Sequence, residues 1–417
     1  MNRNTKILAL TFIVVVGFAL AVMFHYINGV YQHRSYPYTT FLLDPVDHFS
    51  DYYDVIRDSH TLNPYLEYKS AQYPFLIIVG YILSLIPGRT YYLYLGFVSV
   101  FFLLFNYLNL RGERWYDHAT PIFVLTFLTY PFLFSIDRGN FESLLFIFLL
   151  AFLFLYTKKK YLVSAIFLAL AISMKLYPAV LLVLFIPEKR FLEIAICLIS
   201  TAAITLAGLM CFRGGLLPNI TFLLHGSNIS YNSFFTLFTS INSIVVQRGV
   251  SLLTLLKIYF LETGRITAFI NINFSTIYIV LTVLLAILVA LYVIFVEKEI
   301  WKRVALLIFS MLLLPPISAD YKLLYVFIPF FLFLDSKNSP KFDVIYLIMF
   351  GLLLIPKDFF YLHNVIAETS YHEISISVVI NILLLIAFSA MIMISGTKDH
   401  LSKLRINKYS VDIISPV

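Results

Sequence analysis

Five aspartates crowd into residues 44–58 of a chain that otherwise carries few charges. Four of them follow at intervals of four, three and four residues and would share one face of a helix: Asp47, Asp51, Asp54 and Asp58. The apolar face would then be formed by Phe49, Tyr53 and Ile56. A row of carboxylates suits a general base, which takes a proton from an attacking hydroxyl, or a site for a divalent cation or a substrate. The remaining alternative is the solvated face of an amphipathic surface helix.

A second polar group lies at residues 137–142, which read DRGNFE and open an apolar run that continues to about Tyr156. Ionisable side chains at bilayer depth line a cavity or pair with one another, and a glycine lets the backbone approach a ligand closely. The motif is therefore either part of a substrate site or an interfacial loop closed by an internal ion pair. Its candidate site residues are Asp137, Arg138, Asn140 and Glu142.

A lysine interrupts the apolar stretch 161–187, where residues 173–178 read SMKLYP. A lysine at the centre of a membrane helix costs roughly 2.5–3.5 kcal/mol, so Lys175 must snorkel, pair with a carboxylate or meet a bound anion. A phosphate leaving group would be such an anion, because an ammonium group offers a compact charge and several donors. The Tyr177-Pro178 step would end or kink the helix at the same place.

Two further polar stretches, 225–233 and 315–322, adjoin apolar runs. Their amides and hydroxyls suit sugar hydroxyls, and their tyrosines suit the faces of a sugar ring. Each is a weak signal when taken alone, since most such stretches are ordinary loops. The candidates that they add are Asn228, Tyr321 and Lys322.

The composition indicates a membrane protein. The 417 residues are 60% hydrophobic and only 13% charged, whereas a soluble domain has about 25% charged residues. The net charge of +7 is spread over short basic clusters between apolar runs, which is typical of cytoplasmic loops and excludes a nucleic-acid partner. Two cysteines give neither a disulfide framework nor metal-ligand spacing. We expect one integral membrane domain over residues 1–417.

The apolar runs predict an all-α bundle of about 11–13 transmembrane helices, with amphipathic helices in the external loops. The first run, to about Phe24, is long enough to be an uncleaved helix and not a signal peptide. The predicted spans are 7–29, 73–87, 91–110, 118–135, 141–157, 161–187, 191–211, 267–296, 301–316, 321–335, 342–356 and 374–395. The span 161–187 is expected to be a hairpin hinged at residues 175–178.

The basic clusters predict the orientation of the bundle. A cytoplasmic tail at 396–417 puts 212–266 outside and places Lys175 and Asp137 near the outer surface. A cytoplasmic start at residues 2–6 leaves 31–72, with its acidic helix, outside as well. Three predicted spans between 31–72 and Asp137 conflict with this assignment, because an odd number of crossings changes sides. The segment 73–87 is short and bounded by prolines, which makes it the best candidate for a segment that does not cross.

Taken in order, these pieces resemble the membrane-embedded type C glycosyltransferases, and glycosyltransferase family 87 above all. The resemblance covers the chain from about Asp44 to Pro329. It rests on DYY at residues 51–53, a Tyr-Pro step at 73–74, RGNFE at 138–142 and KLYP at 175–178. Some members have a histidine in the late proline-rich region, where this chain has Asp320-Tyr321, so no histidine role is carried over.

The resemblance implies transfer of a hexose, by family default mannose, from a polyprenyl-phosphate sugar to a glycolipid or polysaccharide, with inversion. The expected location is a bacterial inner or plasma membrane, with the active site facing outward. Asp51 would be the base, and the donor phosphate would contact Lys175, Arg138 and Tyr177. Other contacts to substrate would come from Asp54, Asp137, Asn140, Glu142, Asn228, Tyr321 and Lys322. The implied partners are the lipid-linked sugar, the acceptor and membrane lipid.

No cofactor is implied, and the base mechanism does not require a metal, although the acidic row could hold a divalent cation. Two other functions fit a polytopic chain with buried charges. An O-antigen-type polymerase or ligase has a large external loop and arginine-rich sites. A transporter of lipids or sugars should show internal repeats with paired broken helices, and this sequence shows none.

Overall fold

The computed structural model describes residues 1–412 except 43–47, 68–69, 89, 112–117, 238–247, 264–273, 337–339 and 363–373. Within these residues the fold is all-α, as predicted, apart from a short antiparallel pair of strands, β1 (Tyr361–Leu362) and β2 (Ile374–Ser375). An isolated bridge also joins Gly249 to Ala319.

Helices of unequal length make up the bundle. The first eleven are α1 (Arg3–Tyr26, continued by a π turn at Ile27–Tyr31), α2 (Ser50–Ser59), α3 (Pro64–Glu67), α4 (Pro74–Ser84), α5 (Thr90–Leu110), α6 (Ala119–Phe127), α7 (Tyr130–Arg138), α8 (Glu142–Thr157), α9 (Tyr161–Met174), α10 (Phe191–Cys211) and α11 (Leu216–Leu237). The others are α12 (Leu252–Glu262), α13 (Phe274–Phe295), α14 (Ile300–Leu313), α15 (Phe327–Leu334), α16 (Pro340–Leu354) and α17 (Ile376–Asp412). Two 3₁₀ helices, Tyr177–Phe185 and Asp320–Val326, precede α10 and α15.

The chain is polytopic, but its helices do not all span the membrane alone. Among the described residues, five helices are long and apolar enough to cross a bilayer, and the pair α6 and α7, bent by 46°, would make a sixth. Several other predicted spans are shorter apolar helices, of 10–17 residues. In α14, every residue from Trp301 to Leu313 is buried, including Lys302 and Arg303 in the first turn. From Val304 onward the helix is apolar apart from Ser310, as expected of a helix that is buried on all sides.

Helices α8 and α9 form a hairpin that brings Lys175 back to the start of α8. Lys175 has an extended backbone that ends α9, and the 3₁₀ helix Tyr177–Phe185 then reverses direction. The Tyr156 hydroxyl donates to the carbonyl of Leu184 at 2.7 Å, so this 3₁₀ helix returns to the far end of α8. The break predicted at residues 175–178 is confirmed.

The basic clusters meet at one end of the bundle, which we call the basic end. Arg303 Nη1 lies 3.9 Å from Glu188 Oε1, and the ring of Trp301 lies 5.1 Å from that of Phe333. The same Phe333 ring is 4.1 Å from Lys6 Nζ. The N-terminus, the end of the 161–187 hairpin and the start of α14 therefore share this end.

The number of crossings before Asp137 follows from the length of α4. With 11 residues, α4 is about 16 Å long at 1.5 Å per residue, well short of the ~30 Å hydrocarbon core. Helix α5 runs antiparallel to the α6 and α7 pair, because Tyr91 donates to Ile136 O at 3.3 Å and Asn106 to Thr126 Oγ1 at 3.1 Å. Two crossings therefore return the chain to the end where α2 lies, and 73–87 is the segment too short to cross.

The acidic helix α2 is amphipathic, but its faces differ from the prediction. Its buried residues are Tyr52, Val55, Asp58 and Ser59. Tyr53, expected on the apolar face, is 55% exposed. The helix begins at Ser50, with Phe49 in the left-handed region at φ 62°, so the four-residue spacing from Asp47 does not continue through a single helix. Asp44 and Asp47 lie outside the described residues.

Glycines let α1 and α16 approach each other closely. A Cβ at Gly351 would stand 2.7 Å from Ile13 Cγ2, whereas a Cβ at Gly96, on α5, would meet nothing within 4 Å. Small residues at such crossings are how membrane helices gain packing, because lipid already satisfies their apolar surface.

We predict that Gly351→Val lowers the free energy of unfolding by about 1–3 kcal/mol, the usual cost of overpacking. Gly96→Val serves as the matched control and should change stability little. Thermal unfolding of the purified protein in detergent measures both. Equal stability of the two variants would contradict the close packing of α1 on α16.

Candidate active site

A cleft of about 330 Å³ opens at the end of the bundle opposite the basic end. It lies between α2, the α7–α8 turn, the Lys175 hinge and the stretch before the second 3₁₀ helix. Its polar lining consists of Asp51, Asp54, Gln72, Arg138, Asn140, Lys175, Arg248 and Tyr321. Its apolar lining includes Leu76, Phe134, Phe141 and Ile317.

The α7–α8 turn depends on Gly139. This residue has φ 63°, in the left-handed region, and its N–H donates to Ile136 O at 2.9 Å while Asn140 N donates to Ser135 O at 3.1 Å. These two bonds form the glycine-dependent Schellman termination of a helix. A Cβ at Gly139 would stand 2.8 Å from Tyr52 Cβ, so glycine also lets α2 approach the turn.

Asn140 links the start of α8 to the acidic helix. Its Oδ1 accepts a bond from the backbone N–H of Glu142 at 2.9 Å, which satisfies one of the free donors at the helix N-terminus. With Oδ1 committed to this cap, the amide Nδ2 donates to Asp51 Oδ2. Arg138 Nη2 donates to the other oxygen, Asp51 Oδ1.

Asp51 is therefore a carboxylate held at both oxygens on the wall of the cleft. Its side chain keeps 21% of its surface exposed, so a ligand in the cleft can reach it. A carboxylate in a fixed orientation can accept the proton of a bound hydroxyl or a hydrogen bond from one.

Asp137 holds the loop before α2. Its side chain pairs with His48, and its carbonyl accepts a bond from Phe49 N at 2.9 Å. The ring of Phe49 packs on Tyr91, with centroids 3.7 Å apart. Asp137 is not one of the residues that line the cleft, and these contacts tie it to the loop before α2.

Lys175 lines the cleft with a buried acid behind it. Lys175 Nζ lies 3.8 Å from Oε1 of Glu142, whose side chain is fully buried. The hydroxyls of Tyr177 and Tyr325 both donate to the other oxygen, Oε2. Lys322 Nζ lies over the ring of Tyr177, 4.2 Å from its centroid.

Arg248 enters the cleft from a part of the sequence that no motif indicated. Its Nη1 donates to Asp358 Oδ2 at 2.8 Å and to the Tyr130 hydroxyl at 3.2 Å. Its Nη2 donates to Leu42 O at 3.1 Å, and Tyr130 donates to Asp320 Oδ2 at 3.0 Å. This network ties the chain before the acidic helix to the loop after α16.

The pKa values of the two acids of the network, Asp320 and Asp358, are shifted in opposite directions. Burial raises the pKa of Asp320 to about 7. Burial also acts to raise the pKa of Asp358, but the Arg248 guanidinium and the hydroxyls of Ser375 and Ser377 outweigh it and leave that pKa below its usual value. Asp358 is thus the acid that neutralises Arg248.

The structure sorts the predicted site residues by position. Six line the cleft: Asp51, Asp54, Arg138, Asn140, Lys175 and Tyr321. Four lie outside the lining and are at least partly buried: Asp137, Glu142, Tyr177 and Lys322. Asn228 lies in α11, and its side chain lies outside the described residues. The lining residues that the sequence missed include Gln72, Phe134 and Arg248. One feature of the sequence could have indicated Arg248: it is the single Asp, Glu, Lys or Arg between Arg213 and Lys257.

The other acids of α2 share a cation. Arg57 lies 2.9 Å from Asp54 Oδ1 and 3.2 Å from Asp58 Oδ1. In the part of the chain that the structure describes, no three His, Cys, Asp or Glu side chains are grouped to hold a metal ion.

The sequence profile of glycosyltransferase family 87 matches residues 73–316, which is more than half of the chain. The matched region contains the α7–α8 turn and the Lys175 hinge, and it begins after the acidic helix. A search of curated proteins gave no match.

We predict that Asp358→Asn destabilises the protein by roughly 3–5 kcal/mol, because it leaves the Arg248 guanidinium buried without its counter-ion. The matched control is Asp54→Asn, which removes an exposed ion pair worth about 0–1 kcal/mol. Thermal unfolding in detergent compares them. An Asp358→Asn variant as stable as the control would show that Arg248 does not depend on this pair.

Proposed function

We propose that this chain, which belongs to glycosyltransferase family 87, transfers a hexose from a polyprenyl-phosphate sugar to a hydroxyl of a glycolipid or polysaccharide. Family membership and the apolar helices make it a multi-pass membrane glycosyltransferase. One observation carries the finer proposal: Asp51 and Lys175, distant in sequence, line the same cleft.

The cleft supplies the two groups that inverting transfer needs. The acceptor oxygen bonds to the anomeric carbon while the bond between that carbon and the phosphate oxygen breaks, and the electron pair stays on the phosphate. Asp51 takes the proton of the acceptor hydroxyl, and Lys175 stabilises the charge that develops on the leaving phosphate. Attack from the face opposite the phosphate inverts the anomeric centre.

The charges of the site favour a donor with a single phosphate. The cations that line the cleft are Arg138, Lys175 and Arg248. Each of them has an acidic partner: Asp51, Glu142 and Asp358 respectively. A nearly neutral cleft suits a phosphodiester with one negative charge better than a diphosphate with two, because each added charge needs its own compensation.

The location of the cleft supports a site that faces outward. The cleft lies opposite the basic end, and loops rich in lysine and arginine belong on the cytoplasmic side. Nucleotide sugars are cytoplasmic, so a site on the outer face requires a sugar carried by a lipid. We take mannose as the first sugar to test and a plasma membrane as the location.

Asp51→Asn should lower kcat by at least about 100-fold, the range that general-base catalysis contributes, because an amide cannot take the acceptor proton. The assay is formation of a glycolipid one hexose heavier, followed by mass spectrometry in vesicles supplied with lipid-linked sugar. Asp54→Asn, on the same helix and the same cleft, is the control and should retain far more turnover. Full activity of a folded Asp51→Asn protein would remove the base assignment.

Lys175→Ala should raise the KM for the lipid-linked donor by about tenfold or more, as expected when a charge-assisted contact worth roughly 1.5–3 kcal/mol is lost. Lys158→Ala, in the hairpin turn at the basic end, is the control and should behave as the wild type. Initial rates at varied donor concentration measure both. An unchanged KM and kcat for Lys175→Ala would contradict its contact with the phosphate.

A further inference from the structure

We infer that Glu142 is a counter-charge that weakens the hold of Lys175 on the phosphate released by the reaction. The inference rests on the proposed function, since it concerns the leaving phosphate. It makes Glu142 a positioning residue, which acts on the ligand through Lys175.

The two oxygens of Glu142 have different surroundings. Oε2 accepts bonds from two hydroxyls, those of Tyr177 and Tyr325. Oε1 is buried and has no hydrogen-bond partner in the described part of the chain, and it lies 3.8 Å from Lys175 Nζ. The tyrosines thus hold the carboxylate back from the lysine.

At this distance Glu142 and Lys175 attract each other without a hydrogen bond, and Lys175 remains able to turn into the cleft. A hydrogen bond between an ammonium group and a carboxylate is about 2.7–2.9 Å long. At 3.8 Å, Glu142 attracts Lys175 without occupying its donors. The lysine side chain stays 27% exposed, so a ligand in the cleft can take those donors.

The reaction changes the charge that Lys175 faces. The donor is a phosphodiester with one negative charge, and the product is a monoester whose second ionisation falls near pH 6. A lysine without a counter-ion would therefore bind the product more tightly than the donor and slow its release. Glu142 opposes this gain, because its carboxylate, 3.8 Å from Lys175 Nζ, competes with the product phosphate for the ammonium group.

A purely structural role would not require the charge. Glutamine has the same shape as glutamate and could accept both tyrosine hydroxyls, and burying a carboxylate is costly unless its charge is used. The position of Glu142 at the first residue of α8 lowers that cost, since the N-terminus of a helix favours negative groups.

The test measures how the site discriminates between one and two charges. The ligands are a polyprenyl phosphate and its methyl ester, a monoester and a diester with the same chain, bound to the full-length protein in detergent micelles at pH 8. The quantity is the Kd of the diester divided by that of the monoester. We expect Glu142→Gln to raise this ratio roughly tenfold over the wild type, the order expected when a unit charge next to the binding group is removed at a partly solvated site. Glu142→Gln should also tighten diester binding, by a smaller factor because the diester has a single charge, and diester binding no weaker than that of the wild type would show that the variant is folded.

The double variant shows whether Glu142 acts through Lys175. In a Lys175→Ala background, Glu142→Gln should leave the ratio unchanged, because the lysine that it restrains is gone. An equal rise of the ratio with and without Lys175 would overturn the inference. Glu142→Asp keeps the charge and should keep the ratio near that of the wild type.

A second variant keeps the test informative if Glu142→Gln does not fold. Tyr325→Phe removes one hydroxyl that holds the carboxylate back, so Glu142 can approach Lys175. The ratio should then fall below that of the wild type, opposite to the effect of Glu142→Gln. A ratio unchanged by either folded variant refutes the counter-charge, whereas failure of the wild type to bind either ligand refutes the proposed function instead.

Discussion

A charge enclosed in this apolar bundle is stable when an opposite charge lies within reach, and the cleft is built from such pairs. The pair of Asp51 and Arg138 joins the acidic helix to the α7–α8 turn. Arg248, which pairs with Asp358 and donates to Leu42 O, ties the chain before the acidic helix to the loop after α16. Each pair connects segments that are remote in sequence. The position of α2 over the cleft therefore depends on electrostatic pairing as much as on apolar packing, for which α2 offers only one face.

The pairing of charges also explains which parts of the site could be predicted from the sequence. Local chemistry located the groups whose signals are short: Gly139 before Asn140, Lys175 in an apolar stretch, and the Tyr177-Pro178 step. A sequence does not show which distant charges will meet, so it could not assign Asp358 to Arg248 or give Asp137 its contact with the loop before α2. The crossing pattern was ambiguous by composition, because α4 is as apolar as a spanning helix, and only its short length indicated that it does not cross.

The faces of α2 illustrate a different limit. The spacing of its acids predicted one helix from Asp47 onward, whereas the left-handed residue Phe49 begins the helix later. A change of start leaves the periodicity intact but does not fix which face is buried, since Tyr52 and Tyr53 are equally suited to packing. Gly139 determines which face is buried, because its lack of a side chain leaves room for Tyr52.

The charges of the site stand at or next to helix ends, and helix length explains why. Helices α8 and α9 have 16 and 14 residues, or about 24 and 21 Å at 1.5 Å per residue. Their shared turn, with three lysines, belongs at a membrane surface. Measured from that surface, both helices are shorter than a hydrocarbon core of about 30 Å, which would place Glu142 and Lys175 somewhat below the opposite boundary. For the lipid-linked donor proposed above, whose phosphate would sit at that boundary, a cleft sunk beneath it would let the phosphate meet the lysine while the chain remains in the lipid.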